Sequence, residues 1–147
     1  MTHIAAGYGH SLIASNARQV YGFGLNRCGQ SGGGSGVVFD SHDDQVYQLA
    51  CGREHSHIIV GNEKERRLLS FGNNMYGQLG LGKSKSKQAK ELVMQTRPQA
   101  VETCMNNIHG VACGLDHTVF LAGGTVDHAS WELRAHFKGR NANLLLA

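Results

Sequence analysis

The chain has 147 residues, enough for one domain, with 41% hydrophobic and 17% charged residues. Fourteen Lys and Arg against 11 Asp and Glu give a formal charge of +3, which permits contact with nucleic acid but does not indicate it. No apolar run approaches the roughly 20 residues of a membrane-crossing helix, and 20 glycines against one proline point to turns rather than a polyproline linker.

In chain order, residues 4–7 end a first strand and residues 10–14 begin the next, with Leu12 and Ile13 as its apolar content. Residues 15–18 read as a hairpin turn and residues 19–23 as the returning strand. The GGGSG stretch at 32–36 has the most conformational freedom. Val37, Val38 and Phe39 make a brief apolar patch before a polar turn at 41–44. Residues 46–50 form a further strand. Residues 56–60 form the clearest one: His57 and Ile59 point one way, Ile58 and Val60 the other. A charged hairpin tip follows at 61–67, and Leu68, Leu69 and Phe71 lie in the strand behind it. Lys83, Lys85, Lys87 and Lys90 make a basic run with no aromatic neighbour for base stacking. It reads as a solvated loop, with a partner or phosphate contact as the functional alternative. Residues 91–94 have room for one helical turn before Pro98. A last strand pair runs from Ile108 through Val119, Phe120 and Leu121, after which the pattern stops.

Two short words organise these elements. The first, G-x-x-H-[ST], occurs at Gly7 and His10, at Gly52 and His55, and at Gly114 and His117. The second aligns Gly24, Asn26, Gly29, Gln30 and Gly32 with Gly72, Asn74, Gly77, Gln78 and Gly80, 48 residues later. The words alternate. Short strands and turn glycines at a period of about fifty residues predict four-stranded antiparallel blades arrayed radially, an all-β partial propeller. The chain holds about two and a half blades, and propellers have roughly four to eight. Residues 1–124 carry the repeats. The 62-residue spacing from His55 to His117 marks 83–107 as an inserted loop, and 125–147 read as a divergent tail.

The repeated histidines fall one per blade, too far apart to share a metal ion. They read as structural: a neutral imidazole bonded to the backbone of its turn. Asn26, Asn74, Gln30 and Gln78 read as ties within their turns. The segment Cys51-x-x-x-His55-x-His57 has ligand atoms for zinc but fits no common short signature. Cys51 and Cys113 hold one repeat position and read as buried strand residues. Cys28 and Cys104 form no C-x-x-C pair, and the set fits a reducing compartment. Gly80-Leu81-Gly82-Lys83-Ser84 imitates only the end of a phosphate-binding loop, and neither G-x-S-x-G nor H-E-x-x-H occurs. No catalytic residue, metal ligand or cofactor site is expected, so the protein reads as not an enzyme.

The stretches YGFGLNRCGQSG, YQLACGREHSHIIV, LLSFGNNMYGQLGLG and VACGLDHTVFL resemble the regulator of chromosome condensation repeat, with Ser31 where the family usually has leucine. The resemblance covers residues 4–121 and implies a seven-bladed β-propeller of which this chain supplies a part. Within the family the chain looks most like a mitochondrial member. That likeness implies a mitochondrial location, nucleotide exchange on a dynamin-like fusion GTPase and a part in ribosome assembly. The nuclear member implies exchange on the Ran GTPase and docking on nucleosomes. The family's exchange loops are spread over several blades, so no exchange residue is carried over. The expected function is therefore that of a non-catalytic propeller protein acting through protein–protein contacts, exchange-factor-like or an assembly adaptor. The alternatives are an RNA- or ribosome-associated module and a truncated isoform without independent activity. The first word is entered by residue 5, so no targeting segment is expected, and cytoplasm and nucleus stay open. Open blade faces predict self-association or a larger partner rather than a clean monomer.

Overall fold

The structure is a computed structural model that describes residues 2–16, 18–34, 36–81, 93–102, 107–123 and 134–139. Its strands are β1 (His3–Ala6), β2 (His10–Ser15), β3 (Gln19–Gly24), β4 (Val37–Asp40), β5 (Gln45–Cys51), β6 (His55–Gly61), β7 (Arg66–Asn73), β8 (Met94–Ala100), β9 (Ile108–Cys113), β10 (His117–Ala122) and β11 (Arg134–Gly139). They form three antiparallel sheets with orders β1-β2-β3-β4, β5-β6-β7-β8 and β11-β10-β9. The inner strands β1, β5 and β9 lie side by side in that order. This is an incomplete β-propeller: two four-stranded blades and a third with three described strands.

Strand alternation builds two cores, one on each face of the middle blade. Ile58 and Val60 of β6 pack with Leu12, Ala14, Val20 and Phe71, between the first and second blades. Ile59, on the other face of β6, packs with Leu68, Val111 and Phe120, between the second and third. All seven residues of β6 are buried, because this strand is covered on both faces. Side chains such as Leu12, Ile58, Ile59 and Phe71 are essentially inaccessible. Each contributes roughly 1.5–3 kcal/mol from removing apolar area from water.

Two segments differ from the sequence-based expectation. Within 83–107, expected as an inserted loop, Met94–Ala100 is strand β8, pairing Leu69 with Ala100 and Asn73 with Met94. Met94 thus opens a strand where a helical turn was expected. The strand escapes detection because β8 is a mostly exposed edge with no apolar alternation, and its ladder is interrupted opposite the stretch from Ser70 to Gly72, where Pro98 is tolerated. Lys83, Lys85, Lys87, Lys90 and Cys104 lie outside the described residues. Within 125–147, expected as a divergent tail, β11 pairs with β10 from His117–Gly139 to Ala122–Arg134.

Candidate functional site

Both copies of the second word fold into the same turn. Asn26 Oδ1 accepts the N–H of Ser31 at 2.9 Å, and Asn74 Oδ1 accepts that of Leu79 at 3.1 Å. The buried Gln30 and Gln78 each accept a backbone N–H two residues back, from Cys28 and Tyr76, both at 2.9 Å. Backbone bonds from Gly29 to Asn26 and from Gly32 to Gly29 recur as Gly77 to Asn74 and Gly80 to Gly77. Gly24, Gly29, Gly32, Gly72, Gly77 and Gly80 all have φ between 70° and 103°, which side chains with a Cβ rarely adopt.

In the first word the glycine N–H donates to the histidine carbonyl, at 2.8 Å for Gly7 to His10 and Gly52 to His55, and 2.9 Å for Gly114 to His117. The imidazole then lies against the glycine. A Cβ on Gly52 or Gly114 would overlap the ring of His55 or His117, and one on Gly7 would sit 2.6 Å from His10 Cε1. The His10 side chain reaches outward to the next blade, not to the backbone of its own turn as expected. Ser56 Oγ donates to the Gln30 carbonyl at 2.8 Å, so its lone pair accepts from His10 Nε2 at 2.7 Å. At the next interface Thr118 Oγ1 donates to the Gln78 carbonyl at 2.9 Å and accepts from His57 Nε2 at 2.9 Å. There the relay uses His57 in place of His55, although His55 is the repeat counterpart of His10. His117, in the third sheet, is exposed among the described residues.

The turns of both words meet at one end of the blades. Leu25 N–H donates to Gly9 at 2.8 Å and Asn73 N–H to Glu54 at 2.7 Å, joining the β3–β4 and β7–β8 connections to the β1–β2 and β5–β6 turns. Tyr8 N–H bonds Gly52 at 3.2 Å and Arg53 N–H bonds Leu115 at 3.1 Å, joining blade to blade. Across the same end, Arg27 Nε donates to Glu54 Oε1 at 2.8 Å, and Arg53 Nη2 reaches both carboxylate oxygens of Asp116 at 2.7 Å. The hydrogen bond from Asn73 and the pairing with Arg27 hold the Glu54 carboxyl below its ordinary range. This rim leaves Tyr8, Leu25, Met75 and Leu115 respectively 79%, 51%, 63% and 58% exposed. Apolar side chains exposed together on hydrogen-bonded turns are the usual feature of an interaction surface. The sequence reading missed them because they occupy the unspecified positions of the words, where no turn chemistry dictates a residue. That freedom is itself the signal: the words fix the scaffold, and Tyr8, Leu25, Met75 and Leu115 at unspecified positions face outward, whereas Ser31 and Leu79 at another such position are buried.

The buried imidazoles are held neutral. Burial pushes His55 down to about 4, partly offset by the nearby backbone of His117, and pushes His57 down to about 3. Burial lowers His10 as well. The same cause raises the Cys51 thiol to about 11 and the Cys113 thiol to about 12. In the unfolded chain histidine titrates near 6.5. Below that pH the unfolded state therefore binds more protons than the folded state, and stability falls as pH drops. Their contribution is fully present above about pH 6.5 and is lost progressively toward the folded values. The thermal midpoint is expected to fall from pH 7 to pH 5, with a smaller fall in His57→Leu. A midpoint that is flat over this range in the parent protein would contradict neutral burial.

Residues 67–121 and 1–30, together more than half of the chain, match models of the Regulator of chromosome condensation (RCC1) repeat. A human protein described as RCC1-like G exchanging factor-like protein is 31% identical over 150 aligned positions, covering 86% of this chain and 31% of the relative. The human X-linked retinitis pigmentosa GTPase regulator is 34% identical over 108 residues, covering 73% of this chain and 9% of the relative. The chain thus spans less than a third of the length of these relatives. Among solved structures, human WBSCR16 superposes with a TM-score of 0.62 at 30% identity, covering 82% of this chain and 32% of that one. Yeast RCC1 (Prp20) bound to Kap60 superposes with a TM-score of 0.64 at 22% identity, covering 82% of this chain and 29% of that one, which shows the shared fold.

Proposed function

The chain belongs to the regulator of chromosome condensation (RCC1) repeat family, and we propose that it acts as part of a non-catalytic propeller that binds a partner protein through the rim of repeat turns. The exposed group Tyr8, Leu25, Met75 and Leu115 carries this reading, with Leu25 and Met75 at turns locked by Asn26, Gln30, Asn74 and Gln78 and Tyr8 and Leu115 in the glycine–histidine turns. The partner class is a GTPase, small or dynamin-like, with an assembly complex as the adaptor form of the same role. An exchange factor works by deforming its GTPase, so a rigid rim with no catalytic side chain of its own suffices. Residues 1–124 carry the repeat words in this proposal, and 125–147 add strand β11 to the third blade. The family likeness read from the sequence supports a mitochondrial location.

A second reading, an RNA- or ribosome-associated module, has one observation in its favour. Asn74 N–H donates to the Val93 carbonyl at 2.6 Å, so the connection that carries Lys83, Lys85, Lys87 and Lys90 ends at the same rim. Release of fluorescent GDP from purified small and dynamin-like GTPases separates the two readings. The protein-binding reading predicts faster release, or a stable complex, with at least one GTPase. A Tyr8→Asp, Leu115→Asp variant should lose this effect with its thermal midpoint unchanged. If no GTPase responds, the exchange reading fails. Ribosomal RNA binding that falls steeply with salt, and is lost on alanine substitution of the four lysines, would replace it with the second reading.

A further inference from the structure

The chain's own repeats single out one blade interface as chemically different from the other. In the first-word strands, Leu12, His57 and Val119 are repeat counterparts, two residues after His10, His55 and His117. At the position before the glycine, Ala6, Cys51 and Cys113 are counterparts. The interface between the first and second blades thus combines His10, Leu12 and Cys51. The interface between the second and third combines His55, His57 and Cys113.

At that second interface one ligand atom from each of His55, His57 and Cys113 lies within 4.8 Å of the others. Both imidazoles are essentially inaccessible, His55 at 0% and His57 at 1% exposure. Among the described residues neither ring nitrogen of His55 has a well-formed hydrogen bond, nor has His57 Nδ1, although the His117 backbone lies near His55. His10 Nδ1 is likewise unpartnered, but with Leu12 rather than a second imidazole two residues on. Buried polar atoms are rarely left so. The tautomer of His57 follows from its neighbour. Thr118 gives its single hydroxyl hydrogen to the Gln78 carbonyl, so His57 carries its proton on Nε2 and presents a bare lone pair on Nδ1. A hydrogen bond that fixes the remote nitrogen of an imidazole and frees the other is the usual outer support of a metal-bound histidine. His10 is fixed in the same way by Ser56, but its interface has Leu12 where the second one has His57.

We infer that His55, His57 and Cys113 form an interblade binding site for one borderline-soft divalent metal ion, with zinc the best match. Two neutral imidazoles and one thiolate suit zinc and leave one tetrahedral position for a small fourth ligand. Tetrahedral ligands at 2.0–2.3 Å from the ion stand about 3.3–3.7 Å apart, so side-chain rotation must close the present spacing. Binding displaces the thiol proton to solvent and joins the metal to sulfur, with no change of oxidation state. Cys113 also lines an open cleft of about 370 Å³ with Gly52, Cys51 and Gly114, which brings solvent to the thiol but not to the two imidazoles. The ion would clamp β6 of the second blade to β9 of the third.

The test uses the full chain, stripped with a chelator and titrated with zinc and with cobalt(II). One equivalent should bind and raise the thermal midpoint as ligand binding to the folded state requires, and cobalt should give tetrahedral ligand-field bands with a thiolate charge-transfer band. His57→Leu and Cys113→Ala copy residues that the chain already uses at these repeat positions in its first blade, so both should fold. Both should lose the thiolate-cobalt signature and the midpoint rise, whereas Cys51→Ala should keep them. Absence of stoichiometric binding by the folded parent protein overturns the inference. So does binding that survives both His57→Leu and Cys113→Ala.

Discussion

Gly72→Val is expected to lower stability by several kcal/mol, more than the same change at Gly77. Gly72 has φ 103°, and a Cβ there would overlap the carbonyl of Glu54 and stand 2.8 Å from His55 Cα. These are backbone atoms of the strand start directly opposite, since His55 pairs with Gly72. They cannot swing aside as a side chain does. The left-handed backbone costs a non-glycine residue about 1–3 kcal/mol, and overpacking adds typically 1–3 kcal/mol. Gly77 has φ 77° with no atom within 4 Å of its added Cβ, so only the first cost applies there. Against a typical total of roughly 5–15 kcal/mol the Gly72 change is severe. Urea midpoints of Gly72→Val and Gly77→Val check this, and equal shifts would contradict the close approach of the two words.

Ile58→Ala and Ile59→Ala are each expected to cost about 2–5 kcal/mol, the range for truncating a buried large aliphatic side chain. The two residues are adjacent in sequence but feed different cores, Ile58 with Leu12 and Phe71, Ile59 with Val111 and Phe120. In a sheet packed on one side only, one of the pair would be nearly free to change. Equilibrium unfolding of both variants decides. A large loss for Ile58→Ala beside a negligible one for Ile59→Ala would mean that the third sheet does not pack on the second.

The repeat words made the fold legible because each encodes a backbone requirement that a sequence states openly. Glycine at positive φ, asparagine across a turn and glutamine back onto it leave few other residues possible. The run from His57 to Val60 likewise announced a strand, with its burial on both faces seen only in the fold. Strand β8 was not legible because an exposed edge needs no apolar pattern, and Gln95, Thr96 and Gln99 carry none. The histidines were half legible. Repetition marked His10 but not His57, and their partners Ser56 and Thr118 sit in the next blade, 46 residues from His10 and 61 from His57. Sequence spacing also paired Cys51 with His55 and His57, whereas folding brings Cys113 to them from the adjacent blade. The rim residues Tyr8, Leu25, Met75 and Leu115 were invisible one by one, since a lone apolar residue in a turn means nothing until several turns meet.

Amide hydrogen exchange of the full chain, followed strand by strand across a denaturant series, tests the stacked-blade account most directly. If the middle blade is covered on both faces, amides of His55–Gly61 and Leu68–Phe71 should exchange last and only through global unfolding. Amides of the outer strand Met94–Ala100 should open first. Exchange in β6 as fast as in β8, at all denaturant concentrations, would contradict the account.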